Sequence, residues 1–271
     1  MTFFRRHHRT FFRIALSLLP LYGLVAYLLL PLVWKEYERQ PAMRASPGLT
    51  RTAEGIPGDP INVGFHGHER ALVQAMEAGG WRRAKPLDAK TILEMGESLA
   101  RDRPDPQAPV SPLYLFGRKE DLAFEKEAGP TLTHRHHVRF WRADVLGFGD
   151  RPFWVGSASF DRSVGFSRYT GQILHHIDPD LDAERNRLFE DLIGAGRLDE
   201  VFRVSGIGPT FHGRNGEGDW YYTDGEVLIG LLRPAEAPSA PPAQVRDPAA
   251  GSFRQGLWSG LRRLFHAFDI F

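Results

Sequence analysis

The sequence predicts an α+β domain, one mostly antiparallel sheet with helices packed against it, preceded by a single N-terminal transmembrane helix. Three observations point there. Short apolar or alternating stretches dominate from Leu113 to Leu232. Helical periodicity interrupts the soluble part in only a few places. An unbroken uncharged run of twenty-one residues lies near the N-terminus, from Ile14 to Trp34.

Residues 1–13, MTFFRRHHRTFFR, are basic, and the run from 14 to 34 is long enough to cross a hydrocarbon core of about 30 Å as a helix. A cleaved signal peptide has a shorter apolar region and a small-residue cleavage site, and IALSLLPLYGLVAYLLLPLVW has neither. Arg5, Arg6, Arg9 and Arg13 before the run, against Lys35, Arg39 and Arg44 after it, favour a cytoplasmic N-terminus, with the rest of the chain outside the cytoplasm. Residues 35–58, carrying Pro41, Pro47 and Pro57, read as a linker, so the globular domain is expected over 59–232.

Within that domain Ile61 to Phe65 is a candidate strand. It is followed by a helix on which Ala71, Leu72, Ala75 and Met76 share a face and which Gly79 and Gly80 stop. A second helix is expected over 88–101 and a proline-rich loop over 104–112. Strands follow around Leu113 to Gly117, over His136 to Arg142 and over Pro152 to Asp161. In the second of these, His136, Val138 and Phe140 alternate with His137, Arg139 and Trp141.

The densest stretch is QILHHIDPDLDAER, Gln172 to Arg185, which reads as a strand running into a helix. Asp178 is a candidate cap, with Pro179 as first helical residue and Asp180, Asp182 and Glu184 suited to the positive end of the helix dipole. Leu181, Leu188, Phe189, Leu192 and Ile193 supply an apolar face, and the helix should end near Gly194 or Gly196. Val201 to Val204 is a further strand, and Trp220 to Tyr222 with Glu226 to Leu232 reads as a hairpin across Thr223, Asp224 and Gly225. Residues 233–252 are rich in proline and alanine, as an extended linker would be. Residues 253–271 read as a basic amphipathic helix, with Trp258, Arg262, Arg263 and Phe265 as candidate membrane-binding residues. Docking of that helix back onto the domain is the alternative.

A net charge of +1 argues against a nucleic-acid partner, and the absence of cysteine excludes a disulfide-linked one and thiolate metal sites. Histidines gather at His134, His136 and His137 and again at His175 and His176. If the strands brought these together, His136, His137, His175 and His176 could ligate zinc or another divalent metal. Asp161 and Asp178 would serve as ligand or general base, making His175, His176, Asp161 and Asp178 the candidate catalytic residues. Neighbouring histidines in a strand point to opposite faces, however, so only one of each pair can serve one site. The plainer alternative is histidines hydrogen-bonded in a polar sheet and carboxylates capping a helix. An EF-hand is excluded, because Ala183 and Phe189 stand where its glycine and glutamate would be. The nucleophile elbow G-x-S-x-G is absent at Gly156 to Ser159. Ser167, Arg168 and His175 approach the membrane lipid-phosphatase motif but put Leu174 at its histidine position.

DPINVGFHG at Asp59 to Gly67, RHHVRFW at Arg135 to Trp141, PFWVGSASFD at Pro152 to Asp161 and HHIDPDLDAER at His175 to Arg185 together resemble the LssY C-terminal domain over about residues 59–205. That family is bacterial and membrane-associated, some members being joined to lipid-phosphatase or DedA-like membrane domains, and the resemblance transfers no catalytic residues. With an anchor expected at one end and a basic amphipathic helix at the other, the expected place is the bacterial inner membrane, with membrane lipid and a membrane protein as the expected partners. The expected role is binding or assistance in envelope lipid or glycan metabolism. A metal-dependent hydrolase and a purely structural assembly partner are the alternatives.

Overall fold

The structure is a computed structural model that describes residues 18–22, 24–25, 46–84, 112–129, 134–166, 173–205, 212–216, 218–246, 260 and 263. The chain divides into two compact units, residues 1–39 and 40–271. In the first, residues 18–22 have helical backbone, and Leu18, Leu19 and Leu21 are exposed. Among the described residues no helix is long and apolar enough to cross a membrane. Most of the expected span 14–34 lies outside the described residues, as do the expected helix 88–101 and almost all of the loop 104–112 and the segment 253–271.

The second unit is built on strands β1 (Leu49–Arg51), β2 (Pro57–Pro60), β3 (Val63–His66), β4 (Arg82–Arg83), β5 (Tyr114–Leu115), β6 (Arg118–Lys119) and β7 (Leu122–Glu127). These are followed by β8 (Arg135–Arg142), β9 (Phe153–Phe166), β10 (Ile173–Ile177), β11 (Leu198–Ser205), β12 (His212–Arg214), β13 (Trp220–Tyr222), β14 (Glu226–Leu232) and β15 (Val245–Arg246). Helix α1 spans Glu69–Ala78 and α2 spans Leu181–Gly194. Among the described residues nine strands form the main sheet, in the order β15-β11-β14-β3-β9-β8-β7-β4, with β10 also paired to β9. Its pairings are antiparallel except β14 with β3 and β11 with β15. A four-stranded sheet, β2-β1-β5-β6, and the pair β12-β13 complete it.

Alternation along the central strands sends one set of side chains to each face of the main sheet. On one face Phe65, Phe124, Val138, Phe140 and Trp154 pack with Leu72, Ala75 and Met76 of α1 and Leu188, Phe189 and Leu192 of α2. On the other, Trp141, Phe153, Val155, Val227 and Ile229 pack with Ile61, Leu113 and Leu115. The middle of the sheet is tight: a Cβ on Gly156 of β9 would stand 2.6 Å from Phe140 and 2.8 Å from Val63, so only glycine fits between those neighbours.

Helix α1 and the strands around His136, Phe153 and Val201 form as the periodicity predicts. Three expectations are corrected. First, β13 and β14 do not make a hairpin: β13 pairs with β12, and β14 pairs with β11 and β3, because residues 223–225 are held by the start of α2. Second, part of 35–58 is structured, since β1 and β2 pair with each other and buried Thr50 donates to the carbonyl of Asp59 at 2.8 Å. Third, 233–246 is not a free linker. Arg197, itself buried, donates to the carbonyls of Pro234 and Ala237, the amide of Ala240 bonds Gly196, and β15 adds an edge to β11. Gly196, at φ +64°, sits where a Cβ would meet the carbonyl oxygen of Ala240 at 2.4 Å.

His66, at the end of β3, is fully buried, its ring 4.5 Å from that of Phe153. Burial, reinforced by Arg151, lowers its pKa from 6.5 to about 4. The unfolded chain therefore takes up this proton first as the pH falls, and stability from the neutral imidazole is lost between pH 6.5 and about 4. His66→Phe keeps a ring against Phe153 and removes the titration. Urea unfolding at several pH values should show the variant gaining on the wild type by up to about 3 kcal/mol across that window. Parallel pH curves would show that His66 is not held neutral.

Candidate functional site

Strand β8 divides its histidine pair between two environments. His136 shares the helix face with Val138 and Phe140, and there its Nδ1 lies 2.7 Å from Glu184 Oε2, a hydrogen bond between two buried side chains. Glu184 comes from the first turn of α2, and burial pushes its carboxyl pKa up against the opposing pull of His136 and Arg187. Its other oxygen, Oε1, is buried and has no hydrogen-bond partner among the described residues. The Phe160 ring, 4.9 Å from the imidazole, and the Trp81 indole, 6.1 Å away, flank His136. Outside this pair opens a cleft of about 500 Å³ lined by His136, Phe160, Asp178, Asp180, Ala183, Glu184, Asn186, Arg187 and Glu190.

The start of α2 fixes the floor of that cleft. Asp180, not Asp178, is the N-cap: its carboxylate accepts from the Ala183 amide at 3.0 Å, while Asp178 Oδ1 accepts from the Asp180 amide at 2.9 Å. The turn after Pro179 is consumed in this way, since the Pro179 carbonyl accepts from Leu181 and Tyr222, and the helix begins two residues later than expected. Asp182 does more than complement a dipole. It is buried and accepts from the Thr223 hydroxyl at 2.8 Å and the Asp224 amide at 2.9 Å. Arg185, also buried, donates to both oxygens of Asp224 at 2.7 and 3.0 Å and to the carbonyl of Glu226 at 2.8 Å, with Asp182 Oδ1 at 3.3 Å. Burial opposes the guanidinium charge, but Asp182 and Asp224 outweigh it and hold the pKa above the ordinary value. These bonds lock α2 to the turn before β14 and so place Glu184 under His136.

His137 faces the opposite side, in a buried polar layer. Its Nδ1 lies 2.8 Å from Asp161 and its Nε2 3.9 Å from Glu125, which also meets Arg135 at 3.3 Å. Asp59 accepts from Ser159 at 3.2 Å and lies 3.7 Å from Arg139. Burial lowers the His137 pKa against the pull of Asp161, and burial raises that of Asp59 despite Arg139.

Of the residues singled out by sequence, His136 and Asp178 share the cleft, and His137 meets Asp161 on the other face. His176 goes elsewhere, its Nδ1 2.7 Å from Asp219 Oδ1. His175 is opposite Val164 in the β9–β10 register, and its side chain lies outside the described residues. At Asp161, β9 separates β8 from β10, so the two histidine pairs sit on strands that are not neighbours. Among the described residues no group of three or more metal-ligating side chains is placed to hold an ion. Trp258, Arg262 and Phe265 lie outside the described residues, and Arg263 is exposed. The partners that sequence reasoning passed over are Glu184, Glu125, Asp59 and Asp219. Only the spacing of Asp182 and Arg185, three apart on a helix, gave a local sign of pairing.

The described geometry belongs to a chain that matches the LssY C-terminus family over residues 43–227, and the protein is a member of that family. No curated protein and no solved structure matches it.

Arg185→Met, similar in length and uncharged, would leave Asp182 and Asp224 buried without their cation. Chemical denaturation should show a loss of about 3–5 kcal/mol, and a loss below 1 kcal/mol would mean that the ion cluster does not hold the turn.

Proposed function

We propose that this LssY C-terminus family protein is held in the bacterial inner membrane by residues 14–34, with its globular domain outside the cytoplasm. There it acts by binding, as an accessory in envelope lipid or glycan metabolism. The observation that carries the binding role is the cleft over His136 and Glu184: a buried hydrogen-bonded pair at the base of a concave site, with an aromatic wall and charged rim. The uncharged stretch 14–34 and the basic amphipathic segment with Trp258, Arg262, Arg263 and Phe265 support a place at the lipid surface. Membrane lipid, and a membrane protein that processes it, are the proposed partners. A metal-dependent hydrolase is not favoured, because the described histidines His136, His137 and His176 turn to three different carboxylates.

Two measurements test the reading. Removing residues 14–34 should turn a protein that resists carbonate extraction from the membrane into one that carbonate releases, and continued resistance would refute that anchor. Native mass spectrometry of the full chain extracted from membranes should show an envelope-derived adduct that is lost on Ala183→Trp, which places a large ring on the exposed side of the cleft. Absence of any adduct from the wild-type protein, or an adduct indifferent to Ala183→Trp, would overturn binding in the cleft.

A further inference from the structure

Resting on the binding role proposed for this cleft, we infer that its ligand is a hydroxyl-rich or amine-bearing ring, a sugar or amino sugar, and not a phosphate group. Glu184 lines the site, and its buried Oε1 is an acceptor without a donor among the described residues. An unfilled buried acceptor costs free energy that an incoming hydroxyl or ammonium hydrogen recovers, whereas a phosphomonoester dianion brings acceptors only. Charge points the same way. Asp178, Asp180, Glu184 and Glu190 line the cleft against one arginine, Arg187. The positive end of α2, which could otherwise attract an anion, is partly occupied by the chain itself: Asp180 takes the Ala183 amide and the Pro179 carbonyl takes the Leu181 amide.

Shape completes the argument. Phe160 is half-buried in the lining and its ring is tilted 45° to that of His136 at 4.9 Å, so the two form an aromatic wall beside the carboxylates. A sugar ring has an apolar face of C–H groups and an edge of hydroxyls. With the face on Phe160 the edge reaches Glu184, Asn186 and the rim acids, the combination of apolar contact and a few convergent polar groups that small-ligand sites use. An amine at the ring edge would gain further from Asp178 and Glu190.

The full-length protein in detergent should be titrated with a soluble N-acetylglucosamine oligomer, the corresponding glucosamine oligomer, vesicles bearing a neutral glycolipid, and inorganic phosphate. Tryptophan fluorescence and saturation-transfer NMR serve as readouts. Saturable binding of a sugar probe is expected, weakened about tenfold by Glu184→Gln and by Phe160→Ala. Thermal unfolding of each variant shows whether it is folded. Glu190→Gln, at an exposed position, avoids the core altogether and should weaken the glucosamine oligomer more than the acetylated one. Binding to glycolipid vesicles but not to free oligomers would identify a lipid-borne sugar, and the reverse a glycan. Phosphate binding that is lost in Arg187→Ala and competes with the sugars would overturn the inference while leaving the cleft as a binding site. No saturable binding of any sugar probe would also overturn it. An adduct displaced by Ala183→Trp that carries no sugar would separate that failure from failure of the cleft itself.

Discussion

One buried guanidinium decides how the two halves of this domain meet. Arg185 is 1% exposed yet carries a full charge, and such a charge is tolerated only when every donor is directed at an acceptor. Its partners come from its own helix and from the turn that leads into β14, so the arginine can be satisfied only when α2 and that turn are in register. A set of apolar side chains of the same size would bury at lower cost but would let the helix slide or rotate. The fork geometry of Arg185 on Asp224, with Asp182 taking the Thr223 hydroxyl and Asp224 amide, permits one placement. Everything on the helix face inherits that placement, including Glu184, the neighbour of Arg185 in sequence.

The second constraint is the two-residue period of β8. Because adjacent side chains leave a strand on opposite sides, a histidine doublet cannot serve one centre. Here the sheet uses it to build two centres, one under the helices and one in the polar layer beneath β2. That layer confines Glu125, Asp161, Asp59, Arg135 and Arg139 together, each at least nine-tenths buried. The His137 pKa is lowered there, since burial and two arginines oppose a third cation while Asp161 draws one. The helix side is different in kind. It opens to solvent at the first turn of α2, and its carboxylate keeps a vacant acceptor.

Much of this was legible in the sequence and some could not have been. Alternation marked β8 and β9, and the apolar spacing of Leu188, Phe189 and Leu192 marked the buried face of α2, because local period and burial are coupled. Glycine stopped both helices near where it stands. Turn chemistry, being local, predicts a hairpin across 223–225, whereas Asp224 answers to an arginine thirty-nine positions earlier. The same local logic assigns the carboxylates of DPDLDAER to the helix dipole, although Asp182 and Glu184 bond to residues outside the helix. The pairing of His136 with Glu184, forty-eight residues apart, follows from the sheet order and from the anchoring of α2, neither of which period or composition contains.

The placement of the cleft follows from these constraints. A helix start beside a sheet usually offers free amides and a positive dipole, a setting that suits phosphate. This one begins with two aspartates in series, Asp178 taking the Asp180 amide and Asp180 taking the Ala183 amide, and the next acid along the cleft wall is forced inward by the Arg185 clamp. The fold thereby converts an anion-binding position into one rich in acceptors. A carboxylate whose charge is disfavoured by burial and whose second oxygen lacks a donor is best completed by a neutral or cationic hydrogen-bond donor, and the aromatic wall beside it selects a donor carried on a flat, partly apolar ring. The clamp that fixes the fold is therefore also what gives the site its chemical preference.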